Sequence, residues 1–199
     1  MTRPAETERP SGPRLNFKPK VDKILELLVY LAHKRPNADQ YQAVKLFYLA
    51  DREHLNRFGR PITFDLYYAL DYGPVASTAL DLIKGRRPAL RKAKIEQLPI
   101  KIEKRAHILI LAEPKRSVNY DLFSKSDIEV FDKTIDRYGN CNFDALYKLT
   151  HSHFAYDAAW KSRTKGESRA LMYYEDMLEE GAIKASILED IEPVAERLK

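Results

Sequence analysis

The sequence predicts an α+β fold, predominantly helical, in a single domain with one small antiparallel β-sheet or hairpin. Two observations carry this. Apolar residues recur at helical spacing in several segments bounded by recognisable start and stop residues. Between Lys94 and Ala112 the period falls to two, with Ile100, Ile102, Ile108 and Ile110 separated by Lys101, Glu103 and His107. A chain of 199 residues, 44% hydrophobic and 32% charged, is long enough to bury a core and too apolar for a disordered protein.

Taken in order, residues 1–20 hold Pro4, Pro10, Pro13 and Pro19, with Leu15 and Phe17 as large apolar residues, and are expected to form a flexible, Pro-rich basic tail before a domain over 21–199. Val21, Ile24, Leu25, Leu27, Leu28 and Leu31 mark a helix from Val21 to Lys34, which Pro36 stops. Asp39, with Gln42 three places on, opens a second helix whose stripe of Ala43, Val44, Leu46, Phe47, Ala50 and Leu55 runs to Phe58. Gly59 and Pro61 end it. Ile62 to Tyr72 reads as extended or mixed chain as far as Gly73-Pro74. With Pro74 in the first turn and Val75, Ala79, Leu82 and Ile83 on one side, a short helix is expected from about Val75 to Lys84. The β-hairpin follows, with Glu103-Lys104-Arg105 expected at its tip. Ser126 and Glu129 are read as the capping box of a helix carrying Ile128, Phe131, Ile135 and Tyr138 and ended by Gly139. Asn142 caps another with Phe143, Leu146, Tyr147 and Leu149. A helix from about Arg169 to Glu180, ended by Gly181, and a short one near the C-terminus complete the expectation.

Charge is unevenly spread. The net +5 arises from Lys84 to Arg105, where Arg86, Arg87, Arg91, Lys92, Lys94, Lys104 and Arg105 stand among nine basic residues against Glu96 and Glu103. Gly166 to Lys199 is acidic in compensation. One Cys, Cys141, makes neither an internal disulfide nor a thiolate zinc site and fits a reducing compartment. The N-terminus lacks the apolar core of a signal peptide and no stretch approaches a membrane span, so a cytoplasmic protein without membrane contact is expected.

Catalytic signals are weak. Asp51 and His54 share a helix face and could meet a cation, while His151 and His153, if helical, point away from each other. Thr150 or Ser152 with His151 is a poorer hydrolase pair, and nothing matches a nucleophile elbow, H-E-x-x-H or a phosphate loop. A metal-dependent hydrolase is thus the least favoured reading, and no cofactor or metal is expected. A nucleic-acid-binding regulator using residues 84–105 is the alternative, though no helix carries the base-reading Arg, Asn and Gln set. Tyr residues such as Tyr30, Tyr41, Tyr48, Tyr67, Tyr72 and Tyr156 exceed what packing alone would select and favour a binding module over an enzyme.

One segment is specific. Lys45 to Thr63, KLFYLADREHLNRFGRPIT, followed by Tyr67 and by Tyr72-Gly73-Pro74-Val75-Ala76-Ser77, resembles the Panacea domain of SocA-like antitoxins and phage-associated proteins. Leu149-Thr150-His151 with Trp160 resembles that family's later pattern. The resemblance implies a bacterial or prophage antitoxin over 21–199. Such a protein neutralises a cognate protein toxin encoded by an adjacent gene through direct binding, and it can also act as a proteolytic adaptor to a Clp-type protease. Within that reading Asp51, His54 and Arg57 are expected to join a polar network holding the Gly59-Arg60-Pro61 turn against the Tyr72-Gly73-Pro74 turn. His151, Tyr156 and Trp160 are the expected interface residues, with Trp160 as anchor, and the basic segment is the second candidate surface.

Overall fold

A computed structural model describes residues 17–179. Residues 1–16 of the expected tail and the expected short C-terminal helix lie outside them. Phe17 packs edge-on against Phe64 and Tyr174, with centroids 5.0 and 5.3 Å apart, so the chain meets the core ahead of Val21.

Helices α1 (Val21–Lys34) and α2 (Gln40–Phe58) form the centre. Their ends follow the local signals. The Asp39 carboxylate accepts from the Gln42 N–H at 2.7 Å, and Gly59 closes α2 at φ 70. A single apolar stripe would bury one face, yet every residue from Ile24 to Ala32 and from Ala43 to Asp51 is buried. Other elements cover both helices on several sides, and Glu26 and Lys45 are carried inside with their apolar neighbours.

Among the described residues two three-stranded antiparallel sheets flank these helices, where one was expected. In the first, β5 (Ile108–Pro114) lies between β1 (Ala38–Asp39) and β4 (Ile100–Arg105). Glu103-Lys104-Arg105 is not the hairpin tip. The ladder runs on to Arg105 opposite Ile108, and Ala106-His107 makes the turn, with Ala106 at φ 54. The second sheet was not foreseen. Its central strand β2 (Tyr67–Leu70) pairs with β3 (Gly73–Ala76) on one side and β6 (Ala170–Leu171) on the other. The helix expected from Val75 is therefore shortened to α3 (Ser77–Ile83), and Pro74 sits in edge strand β3, where a missing N–H costs no ladder bond.

Within the basic run, α4 (Arg87–Lys92) adds a short helix with Pro88 near its start. Helix α5 (Lys125–Tyr138) begins at a capping box made by Ser124 and Asp127, two residues earlier than the Ser126–Glu129 pair that the sequence offered. Asn142 caps α6 (Phe143–His151) as expected, accepting from the Ala145 N–H at 2.9 Å. The chain then breaks at Ser152-His153 and resumes as α7 (Phe154–Lys161). Where a helix was expected from Arg169 to Glu180, the structure has β6 and a 3-10 turn, Tyr174–Met177. The free edge of β2 captures the backbone at Ala170–Leu171, and Tyr174 and Met177 are then buried.

Candidate functional site

The expected polar network divides into two. Asp51, fully buried on α2, accepts from the N–H groups of Ile62 and Thr63 at 2.8 and 2.9 Å, from the Thr63 hydroxyl, and from the Tyr67 hydroxyl at 2.9 Å. Burial raises its carboxyl to about 6 against the lowering effect of these donors. His54 Nδ1–H donates to the Arg60 carbonyl at 2.7 Å, and its Nε2 faces the Ser126 hydroxyl at 3.0 Å and Asp127 at 3.2 Å. Asp127 also meets Lys23 at 2.7 Å and Arg60 at 2.9 Å. Arg57 takes no part: six residues past Asp51 is about 240° round the helix, and it points outward to Glu129 and Glu53. The Asp51–His54 set fixes the chain after α2 onto α2 and α5 and does not reach the Tyr72-Gly73-Pro74 turn.

That turn is held from elsewhere. The buried Lys45 Nζ donates to the Pro74 carbonyl at 2.7 Å, and burial lowers its pKa to about 7. Tyr156 donates to the Leu70 carbonyl at 2.9 Å, and His151 Nε2 lies 3.3 Å from the Asp71 carbonyl. Gly73, at φ +93, is packed so closely that a Cβ would stand 2.9 Å from both Lys45 Nζ and Thr150 Oγ1.

Above this turn the helices α6 and α7 carry a continuous run of rings. Phe143, Tyr147 and His151 recur every four residues on α6, and Tyr156 and Trp160 repeat the spacing on α7. Centroids are 5.9 Å apart for Phe143–Tyr147, 3.7 Å for Tyr147–His151, 4.2 Å for His151–Tyr156 and 6.0 Å for Tyr156–Trp160. Tyr41 and Tyr72 join it at Phe143, 4.6 and 5.8 Å away. Three of the expected interface residues, His151, Tyr156 and Trp160, thus belong to one ladder, and Tyr72 caps it. Tyr72 is 64% exposed and Phe143 47%. Sequence reasoning counted Tyr147 among the surplus tyrosines and placed Phe143 in a helix stripe, assigned neither to this surface, and named Lys45 only as the start of the family-like segment. The spacing of four from Phe143 to His151 was the available signal.

The basic residues Arg86, Arg87, Arg91, Lys92 and Lys94 are exposed around α4 and in no ion pair among the described residues. Lys104 is exposed on β4, whereas Arg105 pairs with Glu103 at 3.2 Å. His153 turns away from His151: its Nδ1 lies 3.1 Å from the Tyr48 hydroxyl, burial lowers it to about 4, and it lines a cleft of about 500 Å³ with Arg52 and Arg137. Among the described residues no group of three or more His, Cys, Asp or Glu side chains is placed to hold a metal ion.

A family model described as "Antitoxin SocA-like, Panacea domain" matches residues 44–161. The chain belongs to this family. The Panacea match runs from within α2 to the end of α7, so it holds the Asp51 network, the Gly73 turn, the basic α4 and the ladder from Tyr72 to Trp160. It leaves out α1 and β6. Comparisons with curated proteins and with solved structures gave no match.

Proposed function

We propose that this SocA-like chain is an antitoxin that neutralises a protein toxin encoded by an adjoining gene by binding it directly, and that the ring ladder on α6 and α7 is the docking face. Family membership supports the antitoxin role. The observation that supports direct binding is the ladder itself: rings concentrated on one face, half-exposed at Phe143 and Tyr72, are the side chains that dominate interface energetics. A rigid support beneath them, the Gly73 turn pinned by Lys45 and Tyr156, reduces the ordering cost of binding. No helix among the described residues is long and apolar enough to cross a membrane. Handing the bound toxin to a Clp-type protease is a further step of the same reading.

The test is co-expression with the adjoining gene. The pair should co-purify and the antitoxin should restore growth; normal growth of a host carrying the neighbour alone would remove the proposal. Toxin half-life measured with and without the Clp protease separates simple occlusion from delivery.

A second reading, nucleic-acid binding, rests on the ion-pair-free cations around α4. Promoter DNA should then bind with affinity falling on a log–log salt plot by about 0.9 per phosphate contacted.

A further inference from the structure

The cleft of about 500 Å³ between α2, the C-terminal half of α5 and the start of α7 shares no lining residue with the ring ladder or the Asp51 network. Its walls carry three cations, Arg52 from α2 and Lys133 and Arg137 from α5. Arg137 is in no ion pair among the described residues, and its guanidinium lies 5.1 Å from the ring centroid of Tyr138, which lines the same cleft. The partners of Arg52 and Lys133 are Glu179 and Glu129, which stand outside the lining and are 66% and 49% exposed. Exposed pairs of this kind are weak, so both cations are open to a ligand. A fourth donor is His153. The buried Tyr48 hydroxyl lies 3.1 Å from its Nδ1 and has no other hydrogen-bond partner among the described residues. Donation from Tyr48 leaves Nδ1 as acceptor and places the ring proton on Nε2. That N–H has no partner among the described residues and is not enclosed, so the ring lines the cleft with one donor unspent. Burial and the Arg52 charge lower its pKa to about 4, so the ring is neutral at pH 7 and keeps this tautomer.

Two carboxylates also line the cleft. Glu53 faces Arg57 at 3.9 Å, and Asp136 is in no ion pair among the described residues. Against the three cations they leave one positive charge in excess. Helix α5 ends here, and the Gly139 carbonyl at that end is already taken by Arg35 Nε at 2.8 Å. Donors therefore outnumber free acceptors, and they come from three separate elements. A phosphate group, with three terminal oxygens, matches a forked guanidinium, an ammonium and a neutral N–H together. The cleft is larger than a phosphate ion needs and falls within the roughly 300–1,000 Å³ of small-molecule sites. Leu49 and Tyr138 give it an apolar part. We propose that this cleft binds a small phosphorylated molecule, with Arg137, Lys133 and the His153 Nε2–H donating to the phosphate and Leu49 and Tyr138 meeting the organic portion. The site stands independently of the antitoxin reading.

The probes are inorganic phosphate, AMP and adenosine, titrated into the full chain at constant ionic strength and followed by the NMR signal of the His153 ring N–H. Phosphate and AMP should shift that signal, AMP at lower concentration, and adenosine should leave it unmoved. Arg137→Gln should weaken AMP binding about tenfold, equivalent to ~1.4 kcal/mol. Asp136→Asn, which removes the unpaired carboxylate, should tighten it. Both positions are exposed, and a thermal melt confirms that the variants remain folded. The Arg91→Gln/Lys92→Gln double variant on α4 should leave AMP binding unchanged, which separates the cleft from the basic patch. A His153 signal unmoved by phosphate and AMP up to ~10 mM overturns the proposal. So does equal binding of AMP to wild type and Arg137→Gln, or binding that is lost with the α4 variant instead. Growth rescue enters none of these readouts, so their failure leaves the antitoxin reading standing, and failure of the antitoxin test leaves the cleft untouched.

Discussion

Lys45 Nζ lies 2.7 Å from the Pro74 carbonyl oxygen, and that carbonyl is its one hydrogen-bond acceptor among the described residues. A buried ammonium on α2 is thereby joined to the edge strand that supports the ring ladder, with no carboxylate among the described residues in an ion pair with it.

This amine makes stability depend on pH. The unfolded chain keeps the Lys45 proton up to about its ordinary 10.5, whereas the folded chain releases it near 7. Between those values the unfolded state binds more protons, so this group makes stability rise with pH across that window. At pH 10 the neutral amine still donates to Pro74. Lys45→Met should then cost about 1–3 kcal/mol for the unsatisfied carbonyl. Near pH 7 relief of the desolvated charge offsets that loss, and the variant should match or exceed wild type. Urea unfolding at both pH values checks the crossover.

Gly73→Ala places a Cβ 2.9 Å from Lys45 Nζ and Thr150 Oγ1 at a backbone φ of +93. The expected cost is about 1–3 kcal/mol. Calorimetry should show Tm lower by about 2–4 °C for each kcal/mol lost. Because the turn supports Tyr72, the proposed toxin binding should weaken as well.

Asp51→Ala strands the Ile62 and Thr63 N–H groups and the hydroxyls of Thr63 and Tyr67 in the interior. A loss of about 3–5 kcal/mol is expected, since each buried donor left without an acceptor costs roughly 1–3 kcal/mol. Arg57→Ala, on the exposed side of the same helix, should stay within about 0.5 kcal/mol of wild type. Denaturant midpoints of the two variants measure the contrast that the sequence, which grouped both residues, did not contain.

On the proposed docking face, Phe143→Ala and Trp160→Ala should each weaken the proposed toxin complex by about tenfold or more, the cost of truncating an interface ring at ~1.4 kcal/mol upward. His107→Ala, at the far tip of the β4–β5 hairpin, should leave affinity unchanged. Titration calorimetry with the purified toxin, beside growth rescue, reads both.

The site was legible in part. Tyr72, His151, Tyr156 and Trp160 were singled out, and the structure joins them through Phe143 and Tyr147, whose fourfold spacing on α6 was visible but consistent with ordinary core packing. Lys45 opens the family-like segment, but its burial gave no sign, since a lysine in a helix is normally a surface residue. Which residues face the rings depends on where α6 lands, and nothing near Phe143 in the chain encodes that.

What the sequence determined by itself was local: the limits of α2 at Asp39 and Gly59, the Asn142 cap of α6, the alternation of β4 and β5, the family to which the chain belongs, and the uneven charge. Caps and turns are decided by groups within a few residues of one another, so the pattern carries their outcome. Tertiary structure decided the second sheet, the β6 strand in place of a helix, the separation of Arg57 from Asp51, and the burial of Lys45 against Pro74. Each depends on a free sheet edge or a covering element far away along the chain. Such partners become neighbours only when the core closes, and their pairing then outweighs local helix preference.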